Sequence, residues 1–393
     1  MRYAAVTERL AGLGGAKWAV HARARAMKAE GRAVIELTIG EPDVATPDAL
    51  MDVAAAAMRA GRTGYSNGQG EAALLRALAD RYSARRGRAI TPAQIMCFPG
   101  TQTTLYAVLM GLVGAGDEVL VGDPMYATYE GLIAATGAVA VPVPLRANTG
   151  FRVAADDIAA RVTPATRVIM LNSPHNPTGA VLTRADFAAI GAVAKAHDLW
   201  ILCDEVYEDL VFEGVTFASP LDLPDLAERV IVASSISKSH AAPGFRSGWC
   251  VGPEAFVQAL LPLSETMLFG NQPFIADMTA AAIKAGSPVA VGMCARFARR
   301  ADLVFDALDG VAGLAVHRPD AGMFALVDVG TDGEAFALAL LEAEGVAVMP
   351  GPSFGAALRG WVRVSLTQPD DVIAEACVRI ARFAPKFSGG QRT

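Results

Sequence analysis

The sequence predicts an α/β fold in which helices cover both faces of a mostly parallel β-sheet. Between about residues 45 and 285, short apolar runs alternate with amphipathic stretches of helical length, and this alternation is typical of a parallel sheet. The runs are largely apolar throughout, as expected for strands that are buried on both faces. The predicted strands are Glu118–Val121, Ala138–Val143, Arg167–Leu171, Trp200–Cys203, Arg229–Ala233 and Trp249–Val251.

The stretches between these strands predict the helices that cover the sheet. They are Gly70–Arg86, Thr101–Val113, Tyr126–Ala135 and Arg184–His197. Several strands are followed or ended by polar residues, among them Asp123, Asn172, Asp204 and Ser234–Ser235. In open α/β sheets, ligands bind beyond the carboxyl ends of the strands. We therefore expect the functional site at this edge of the sheet.

The pattern changes after about residue 286 and predicts a smaller α+β domain. Its predicted helices are Val289–Leu308, Gly333–Glu344 and Asp370–Phe383, and its predicted strands are Leu314–His317, Met323–Val329, Ala347–Met349 and Trp361–Ser365. A length of 393 residues fits two domains. We expect residues 46–285 to form a large cofactor-binding domain and residues 286–393 a small C-terminal domain. Residues 1–45 would form an N-terminal arm and part of the small domain.

Composition narrows the class of protein. Apolar residues make up 53% of the chain and charged residues 19%, so a folded globular protein is expected rather than a disordered one. The net charge of −6 and the lack of a basic run argue against nucleic acid as a partner. No apolar stretch reaches about 18 residues without a polar interruption, and the charged N-terminus does not resemble a signal peptide. We expect no membrane association and a cytoplasmic location.

Several motif classes are excluded by spacing. The five cysteines form no CxxC pair and the histidines no HExxH motif, so neither a disulfide framework nor a metal site is predicted. There is no GxxxxGK[ST] phosphate-binding loop. The segment Gly351–Gly355 matches the G-x-S-x-G string of hydrolases, but every histidine precedes it. A hydrolase of that kind needs its histidine later in the chain, so the match is a coincidence.

Two segments that follow predicted strands carry candidate site residues. Asn172–Gly179 contains two prolines and a glycine, which make a rigid turn that fixes side-chain directions; alone, it is also compatible with an ordinary connecting loop. Asp204–Tyr207 begins with a carboxylate at the rim of a buried strand, which is costly unless a cation such as a protonated pyridine nitrogen pairs with it. A helix N-cap is the alternative for Asp204.

Two further segments suggest covalent chemistry and phosphate binding. Lys238 follows a strand and is flanked by serines, and Arg246 lies eight residues later, where it could bind a phosphate together with Ser235. A solvated surface lysine and arginine are the alternative. The segment Pro99–Thr103 opens a helix whose free N–H groups and positive dipole end suit a phosphate. Most helix N-termini bind nothing, so this signal has weight only beside the others.

Together these segments resemble the class I and II aminotransferases of pyridoxal-phosphate (PLP) fold type I over nearly the whole chain. Within that family the chain looks most similar to the subgroup of bacterial arginine–pyruvate and aspartate-type transaminases. The order and spacing of the matching segments carry the resemblance. They are Ile39–Asp43, Tyr65 ahead of Gly70, Asp123–Tyr126, Ser173–Gly179, Asp204–Tyr207, Ser235–Lys238, Arg246, Pro350–Gly351 and Val362–Ser365.

The resemblance implies PLP as cofactor and assigns roles to single residues. Lys238 would hold the cofactor as an imine and move a proton between the substrate Cα and the cofactor C4′. Asp204 would pair with the pyridine nitrogen, and Tyr126 would stack on the ring. Asn176 and Tyr207 would hydrogen-bond the 3′-oxygen. The residues implied at the phosphate are Gly100, Thr101, Gln102, Ser235 and Arg246, with Tyr65 reaching it from the other subunit of a homodimer.

The resemblance also implies how the substrate is bound. Arg363, with Asn176 and the Gly40 backbone, would bind the substrate carboxylate, for which a planar guanidinium is well suited. A free lysine titrates near pH 10.4, so Lys238 needs a lower pKa to act as a base near pH 7, and we expect burial and Arg246 to lower it. Pro99 departs from the family pattern and removes one N–H that could bind the phosphate.

The function implied is transfer of an amino group from an L-amino acid to a 2-oxo acid by a ping-pong cycle. The alternative on the same fold is a PLP-dependent C–S lyase or decarboxylase. A regulator that uses PLP as a sensor would need an added DNA-binding domain, and we find no segment for one. The sequence does not identify the donor side chain. A guanidinium donor would require acidic residues near the mouth of the site, and Glu41 is the candidate.

Overall fold

The computed structural model describes residues 2–13 and 16–390. Met1, Gly14, Gly15 and residues 391–393, which the predicted domain boundaries include, lie outside the described residues. In chain order the strands are β1 (Ile35–Leu37), β2 (Ile95–Phe98), β3 (Glu118–Asp123), β4 (Val139–Pro144), β5 (Thr166–Asn172), β6 (Trp200–Asp204), β7 (Val230–Ser235), β8 (Gly248–Val251), β9 (Ala315–His317), β10 (Phe324–Asp328), β11 (Val346–Pro350) and β12 (Trp361–Ser365).

Helices lie on both sides of these strands. In chain order they are α1 (Ala5–Ala11), α2 (Ala19–Ala29), α3 (Asp48–Arg59), α4 (Ala72–Arg86), α5 (Thr101–Leu112), α6 (Tyr129–Thr136), α7 (Ala155–Ala159), α8 (Arg184–Ala196), α9 (Ile236–Ser239), α10 (Glu254–Met267), α11 (Pro273–Ala285), α12 (Pro288–Leu308), α13 (Gly333–Glu344) and α14 (Asp370–Gly390). Within the described ranges no single helix has the length and apolar character needed to cross a membrane; α11 and α12, bent by 69°, meet that test only as a pair.

The larger sheet has the strand order β2-β8-β7-β6-β5-β3-β4. The neighbours from β7 to β4 run parallel to one another, and β8 runs antiparallel to both β7 and β2. The prediction of a mostly parallel sheet is confirmed, and all six predicted strands are present. The strand β2 was not predicted, because four residues between Pro92 and Pro99 are too few to show a period.

The larger sheet is buried on both faces, as its apolar strands predict. In β6, Ile201 and Cys203 pack into one apolar cluster, and Leu202 between them packs into another. Successive side chains of a strand point to opposite faces, so the two clusters lie on opposite sides of the sheet. The first cluster contains Leu74 and Leu78 of α4, and the second contains Val257 of α10. This alternation decides which way the residues after β6 point.

The smaller sheet has the order β1-β11-β12-β10-β9. Its strands from the C-terminal part of the chain pair antiparallel, whereas β1, from the N-terminal segment, runs parallel to β11 with Ile35 opposite Val346. A separate apolar cluster lies beneath this sheet and includes Met27 of α2 and Phe297 of α12. Residues from both ends of the chain therefore build this part of the molecule. It brings β12 and the segment after β1 toward the carboxyl edge of the larger sheet.

Candidate active site

A cleft of about 970 Å³, open to solvent, lies at the carboxyl edge of the parallel strands. Eleven of the residues selected from the sequence line it: Gly40, Thr101, Gln102, Tyr126, Asn176, Asp204, Tyr207, Ser235, Lys238, Arg246 and Arg363. They come from segments that are up to 323 residues apart (Gly40 to Arg363). The cleft lies where the sequence predicted the site, beyond the carboxyl ends of the strands, which is the usual place for ligands in open α/β sheets.

Lys238 lies in α9, directly after β7, with its amine in the cleft. Its Nζ donates a hydrogen bond to the carbonyl oxygen of Gly40 at 3.0 Å. Burial lowers the pKa of Lys238 to about 8; Glu41 acts in the opposite direction, and Arg363 and Arg246 lower it further. A usable fraction of the amine is therefore neutral, and nucleophilic, near pH 7.

Asp204 ends β6 and is 4% exposed. Its Oδ2 accepts a hydrogen bond from the hydroxyl of Tyr129 at 2.7 Å, and its Oδ1 accepts one from the Val206 N–H at 3.0 Å. Burial raises the pKa of Asp204 to about 6, although these two bonds act to lower it. Within the described residues it forms no ion pair, so a bound cation would stabilise its charged form.

Arg363 presents a buried guanidinium without a counter-ion from the described residues. Its Nη1 donates to Oδ1 of Asn176 at 2.9 Å and its Nη2 to the carbonyl oxygen of Thr38 at 2.7 Å. Its Nε has no hydrogen-bond partner among the described residues. The guanidinium carbon lies 3.7 Å from the ring centroid of Phe324 and 4.5 Å from that of Phe354. Burial lowers the pKa of Arg363 to about 10, which a bound carboxylate would reverse.

The N-terminus of α5 and Arg246 form a concave site that suits an anion. A Cβ atom at Gly100 would lie 2.2 Å from Nη2 of Arg246, so the guanidinium packs directly over this glycine. The hydroxyl of Thr101 is buried and has no hydrogen-bond partner in the part of the chain that the structure describes. The Gly100 N–H donates to the Phe98 carbonyl oxygen, so the open N–H groups begin at Thr101. Gly100 is not on the cleft wall itself but holds Arg246 against it.

Two tyrosines and an asparagine complete the polar wall of the cleft. Burial raises the pKa of Tyr207 above its usual range, and the neighbouring side chain of Asn176 acts to lower it. Oδ1 of Asn176 accepts a hydrogen bond from Arg363. The ring of Tyr126 meets the ring of Tyr129 edge-on, with centroids 5.5 Å apart at 81°. The flat face of a bound ring could therefore lie against Tyr126.

Comparison with known proteins identifies the family. The chain matches the family model for aminotransferase class I and II over residues 32–380. The chain belongs to the class I and II aminotransferases. It is 43% identical over 392 residues to the arginine–pyruvate transaminase of Pseudomonas aeruginosa, an alignment that covers 99% of this chain and 100% of the relative.

Other aminotransferases also match this chain over nearly its whole length. The aspartate/prephenate aminotransferase of Cereibacter sphaeroides is 34% identical over 386 residues, covering 94% of this chain and 96% of the relative. The solved structure of Thermus thermophilus aspartate aminotransferase with maleate superposes with a TM-score of 0.90 at 30% identity, covering 97% of this chain and 100% of that one. The predicted fold type and enzyme class are confirmed: this aminotransferase moves an amino group between an amino acid and a 2-oxo acid, and the lyase or decarboxylase alternative is not favoured.

Tyr65 lies apart from the cleft of its own chain. Its side chain is 93% exposed and its ring lies 5.5 Å from that of Phe269, which is itself 52% exposed. Within one chain of the aminotransferase, Tyr65 therefore contacts none of the site residues described above.

Several residues that orient the predicted site residues were not themselves predicted from the sequence. Tyr129 bonds to Asp204, Thr38 bonds to Arg363, and Phe324 and Phe354 enclose the Arg363 guanidinium. Tyr129 had a weak signal, since it lies three residues after Tyr126 at the start of a helix. The two phenylalanines had none, because an apolar residue in a strand or loop is ordinarily a core residue.

Proposed function

We propose that this aminotransferase binds PLP in the cleft and uses Lys238 as its catalytic amine. The main observation behind this proposal is that the Lys238 amine and the Asp204 carboxylate line the same cleft. The groups left unsatisfied there fit the cofactor: a carboxylate without a cation suits its ring nitrogen, and the Thr101 hydroxyl and Arg246 suit its phosphate. When bound, PLP supplies an aldehyde that reacts with amines and a protonated ring that withdraws electrons from the substrate Cα.

The residues around the reacting atoms have separate chemical roles. Lys238, with its lowered pKa, would take the proton from the substrate Cα and deliver it to the cofactor C4′, and it would move a proton in the opposite direction when the 2-oxo acid acceptor reacts. Asp204 keeps its negative charge beside the ring nitrogen and thereby holds a proton on that nitrogen, while Tyr129 fixes the direction of the carboxylate. Tyr126 stacks on the ring, and Asn176 and Tyr207 hydrogen-bond its 3′-oxygen.

The anionic ends of cofactor and substrate are held by different residues. Thr101, Gln102, Ser235 and Arg246 bind the phosphate at the N-terminus of α5, and Gly100, whose own N–H bonds to Phe98, leaves room for the Arg246 guanidinium beside them. Arg363 binds the substrate carboxylate through the free Nε edge of a guanidinium that two aromatic rings hold flat. The backbone of Gly40 approaches this site closely, because a Cβ there would lie 2.2 Å from the Phe324 ring.

We propose further that the enzyme is a homodimer in which Tyr65 reaches the phosphate of the other subunit. The proposal is supported by the exposed pair of Tyr65 and Phe269, because large aromatic side chains exposed together are typical of interfaces. We also propose the domain division at residues 45/46 and 285/286. Its support is that the smaller sheet packs mainly on an apolar cluster of its own, although Leu326 and Met349 pack into the cluster of the larger sheet, and that β1 joins the smaller sheet.

For the substrates we propose an amino donor with a cationic side chain, arginine first, and pyruvate as acceptor. The relative at 43% identity is named an arginine–pyruvate transaminase. Glu41 is exposed next to Gly40, and its charge raises the pKa of Lys238. Its carboxylate is thus within electrostatic reach of the amine and suits a donor guanidinium.

The test of the proposed function is a half-reaction with a donor and no acceptor. A transaminase converts its bound cofactor to the amine form, releases one equivalent of 2-oxo acid per site and liberates no ammonia. Continued ammonia release would instead show a lyase and overturn the proposal. A panel of donors with pyruvate and with 2-oxoglutarate then ranks the substrates, and preference for aspartate over arginine would overturn the assignment of Glu41.

A further inference from the structure

Six charged residues form a largely buried cluster on the side of the larger sheet that faces away from the cleft. We name it the α4 charge cluster; it consists of Arg81, Arg85 and Arg86 of α4, and Glu205, Glu208 and Asp209 of the turn after β6. Arg81 and Arg85 each contact both Glu208 and Asp209, at 2.6–3.0 Å. The cluster begins one residue after Asp204.

The alternation of β6 explains why two adjacent carboxylates point in opposite directions. Cys203 packs into the apolar cluster that contains α4, and Leu202 packs into the cluster on the opposite face. Asp204 accordingly meets Tyr129 on the face of the cleft. Glu205 keeps its place in the ladder, since its N–H donates to the Ala233 carbonyl oxygen at 2.8 Å, and its side chain meets Arg86 on the α4 face.

The α4 charge cluster is buried apart from Arg85, whose side chain is 36% exposed, and it is incompletely paired. The side chains of Glu205, Glu208 and Arg86 are 0%, 2% and 4% exposed. Arg86 lies 3.5 Å from Glu205 and 3.6 Å from Glu208, and Oε1 of Glu205 has no hydrogen-bond partner within residues 2–13 and 16–390. Burial raises the pKa of Glu205 to about 8, against the effect of Arg86. Buried charges in such numbers stabilise a fold poorly compared with apolar residues, so a role in specifying local geometry has to be considered.

The α4 charge cluster contacts β6, β7 and β8 at the ends of these strands that border the cleft. Glu208 accepts a hydrogen bond from the Ser234 hydroxyl in β7, which leads to Lys238. Tyr82 of α4 lies 3.5 Å from Glu208 and accepts a hydrogen bond from the Trp249 indole of β8 at 3.0 Å. Glu205 and Glu208 themselves flank Tyr207 at the end of β6. The directions of Asp204, Tyr207 and Lys238 therefore all depend on backbone that this cluster holds.

We propose that Glu205 and Glu208, clamped by the arginines of α4, are positioning residues that aim Asp204 and Tyr207 at the cofactor from behind the sheet. They touch neither cofactor nor substrate and act through the backbone of the turn. The inference rests on the proposed function, because it presupposes that PLP lies against Asp204.

The test compares Glu205→Ala with Glu205→Gln. The alanine variant leaves Arg86 without one of its carboxylates and frees the turn, so we expect the PLP dissociation constant to rise and kcat to fall, each about tenfold, a size seen when the outer partners of site ligands are removed. The donor KM should change little, because Arg363 is untouched. Glutamine has the shape of a protonated glutamate and should restore both values to within about threefold of the wild type.

Asp370→Asn is the control, because Asp370 pairs with Arg299 and the buried Arg300 and, among the described residues, with no member of the α4 charge cluster. It should lower Tm while leaving PLP affinity and the pH midpoint of the bound-cofactor absorbance unchanged. If Glu205→Ala behaves like this control, the cluster is merely structural and the inference is overturned. If Glu205→Ala is insoluble, Glu208→Gln takes its place, because a neutral glutamine cannot keep the ion pairs of Glu208 with Arg81 and Arg85. Weaker PLP binding and a shifted absorbance midpoint then support the inference, and unchanged values overturn it. Failure of the wild type to bind PLP would instead refute the proposed function.

Discussion

The hydroxyl of Tyr129 lies 2.7 Å from Oδ2 of Asp204, and both side chains are buried. Burial and the neighbouring Asp204 raise the pKa of Tyr129 well above 10, so the tyrosine stays protonated and donates this bond. The bond favours the charged form of Asp204 and fixes one of its two oxygens. The other oxygen accepts from the Val206 N–H. The carboxylate is thereby fixed in direction before any cofactor binds.

Tyr129→Phe should impair catalysis without disturbing the fold of α6. A hydrogen bond to a charged group contributes about 1.5–3 kcal/mol, so we expect kcat to fall about tenfold or more, with a smaller change in donor KM. Steady-state kinetics check this. The neighbouring Tyr126→Phe, which keeps the stacking ring and does not touch Asp204, is the control. Wild-type kcat in Tyr129→Phe would show that the bond does not orient Asp204 for catalysis.

Cofactor affinity should depend on pH through Asp204. Burial raises the pKa of Asp204 to about 6 in the cofactor-free protein. Below that pH the carboxyl is neutral and cannot pair with a protonated ring nitrogen, so PLP should bind more weakly as the pH falls through about 6. Titrations of PLP between pH 5 and pH 8 measure the effect. Asp204→Asn should bind weakly at every pH and lose this dependence; an unchanged pH profile in that variant would assign the dependence to another group.

The raised pKa of Asp204 should also make the stability of the protein depend on pH. Because the folded-state pKa of Asp204 lies above its unfolded value, this group favours folding most at low pH, and that contribution is lost as the pH rises through about 6. Bound PLP should cancel the loss by supplying a cation. We therefore expect the gain in Tm on adding PLP to be larger at pH 8 than at pH 5, which differential scanning fluorimetry measures; an equal gain at both would contradict the pairing.

Lys238→Ala should abolish turnover and the yellow absorbance shift of bound PLP. The reason is that no other lysine lines the cleft in the part of the chain that the structure describes. Lys17 pairs with Glu130 and is not one of the predicted site residues, so Lys17→Ala is the control. Absorbance and single-turnover measurements check both variants. Activity retained in Lys238→Ala would end the assignment of the catalytic amine.

Arg363→Lys should raise the donor KM much more than it weakens PLP. Lysine keeps a positive charge but loses the planar donors that two aromatic rings hold in place. Loss of one charge-assisted hydrogen bond of about 1.5–3 kcal/mol predicts a KM about 10- to 100-fold higher. Donor kinetics and PLP titration separate the two effects. Equal losses in both would place Arg363 at the cofactor rather than at the substrate.

Mixing two inactive variants tests the role of Tyr65 in the proposed dimer. In a heterodimer of Tyr65→Ala and Lys238→Ala, the chain with intact Lys238 would receive Tyr65 from its partner, so one complete site forms. We expect activity in a refolded mixture to exceed the sum of the two variants. No gain, in a mixture shown to contain heterodimers, would mean that Tyr65 does not act across the interface.

Much of the architecture follows from local sequence pattern. The helix Gly333–Glu344 and the strand Trp361–Ser365 were predicted with the observed bounds. The predicted helix over Tyr126–Ala135 begins three residues too early, because Tyr126 belongs to the turn that faces the cleft. The cleft residues could be predicted because a carboxylate, an amine or a rigid turn directly after a buried strand has to lie at the same edge of a parallel sheet.

What the sequence determined by itself is the order of strands and helices and the identity of the groups at their carboxyl ends, since both are written in local periodicity and in residue type. Only the tertiary structure decided which distant groups meet: Tyr129 with Asp204, Phe324 with Arg363, and the arginines of α4 with Glu205 and Glu208. Asp204 and Glu205 are adjacent and chemically alike, yet one faces the cleft and the other the α4 charge cluster. The direction of each side chain is set by the pleat of the strand, and its partner by the packing of elements that are far apart in the chain.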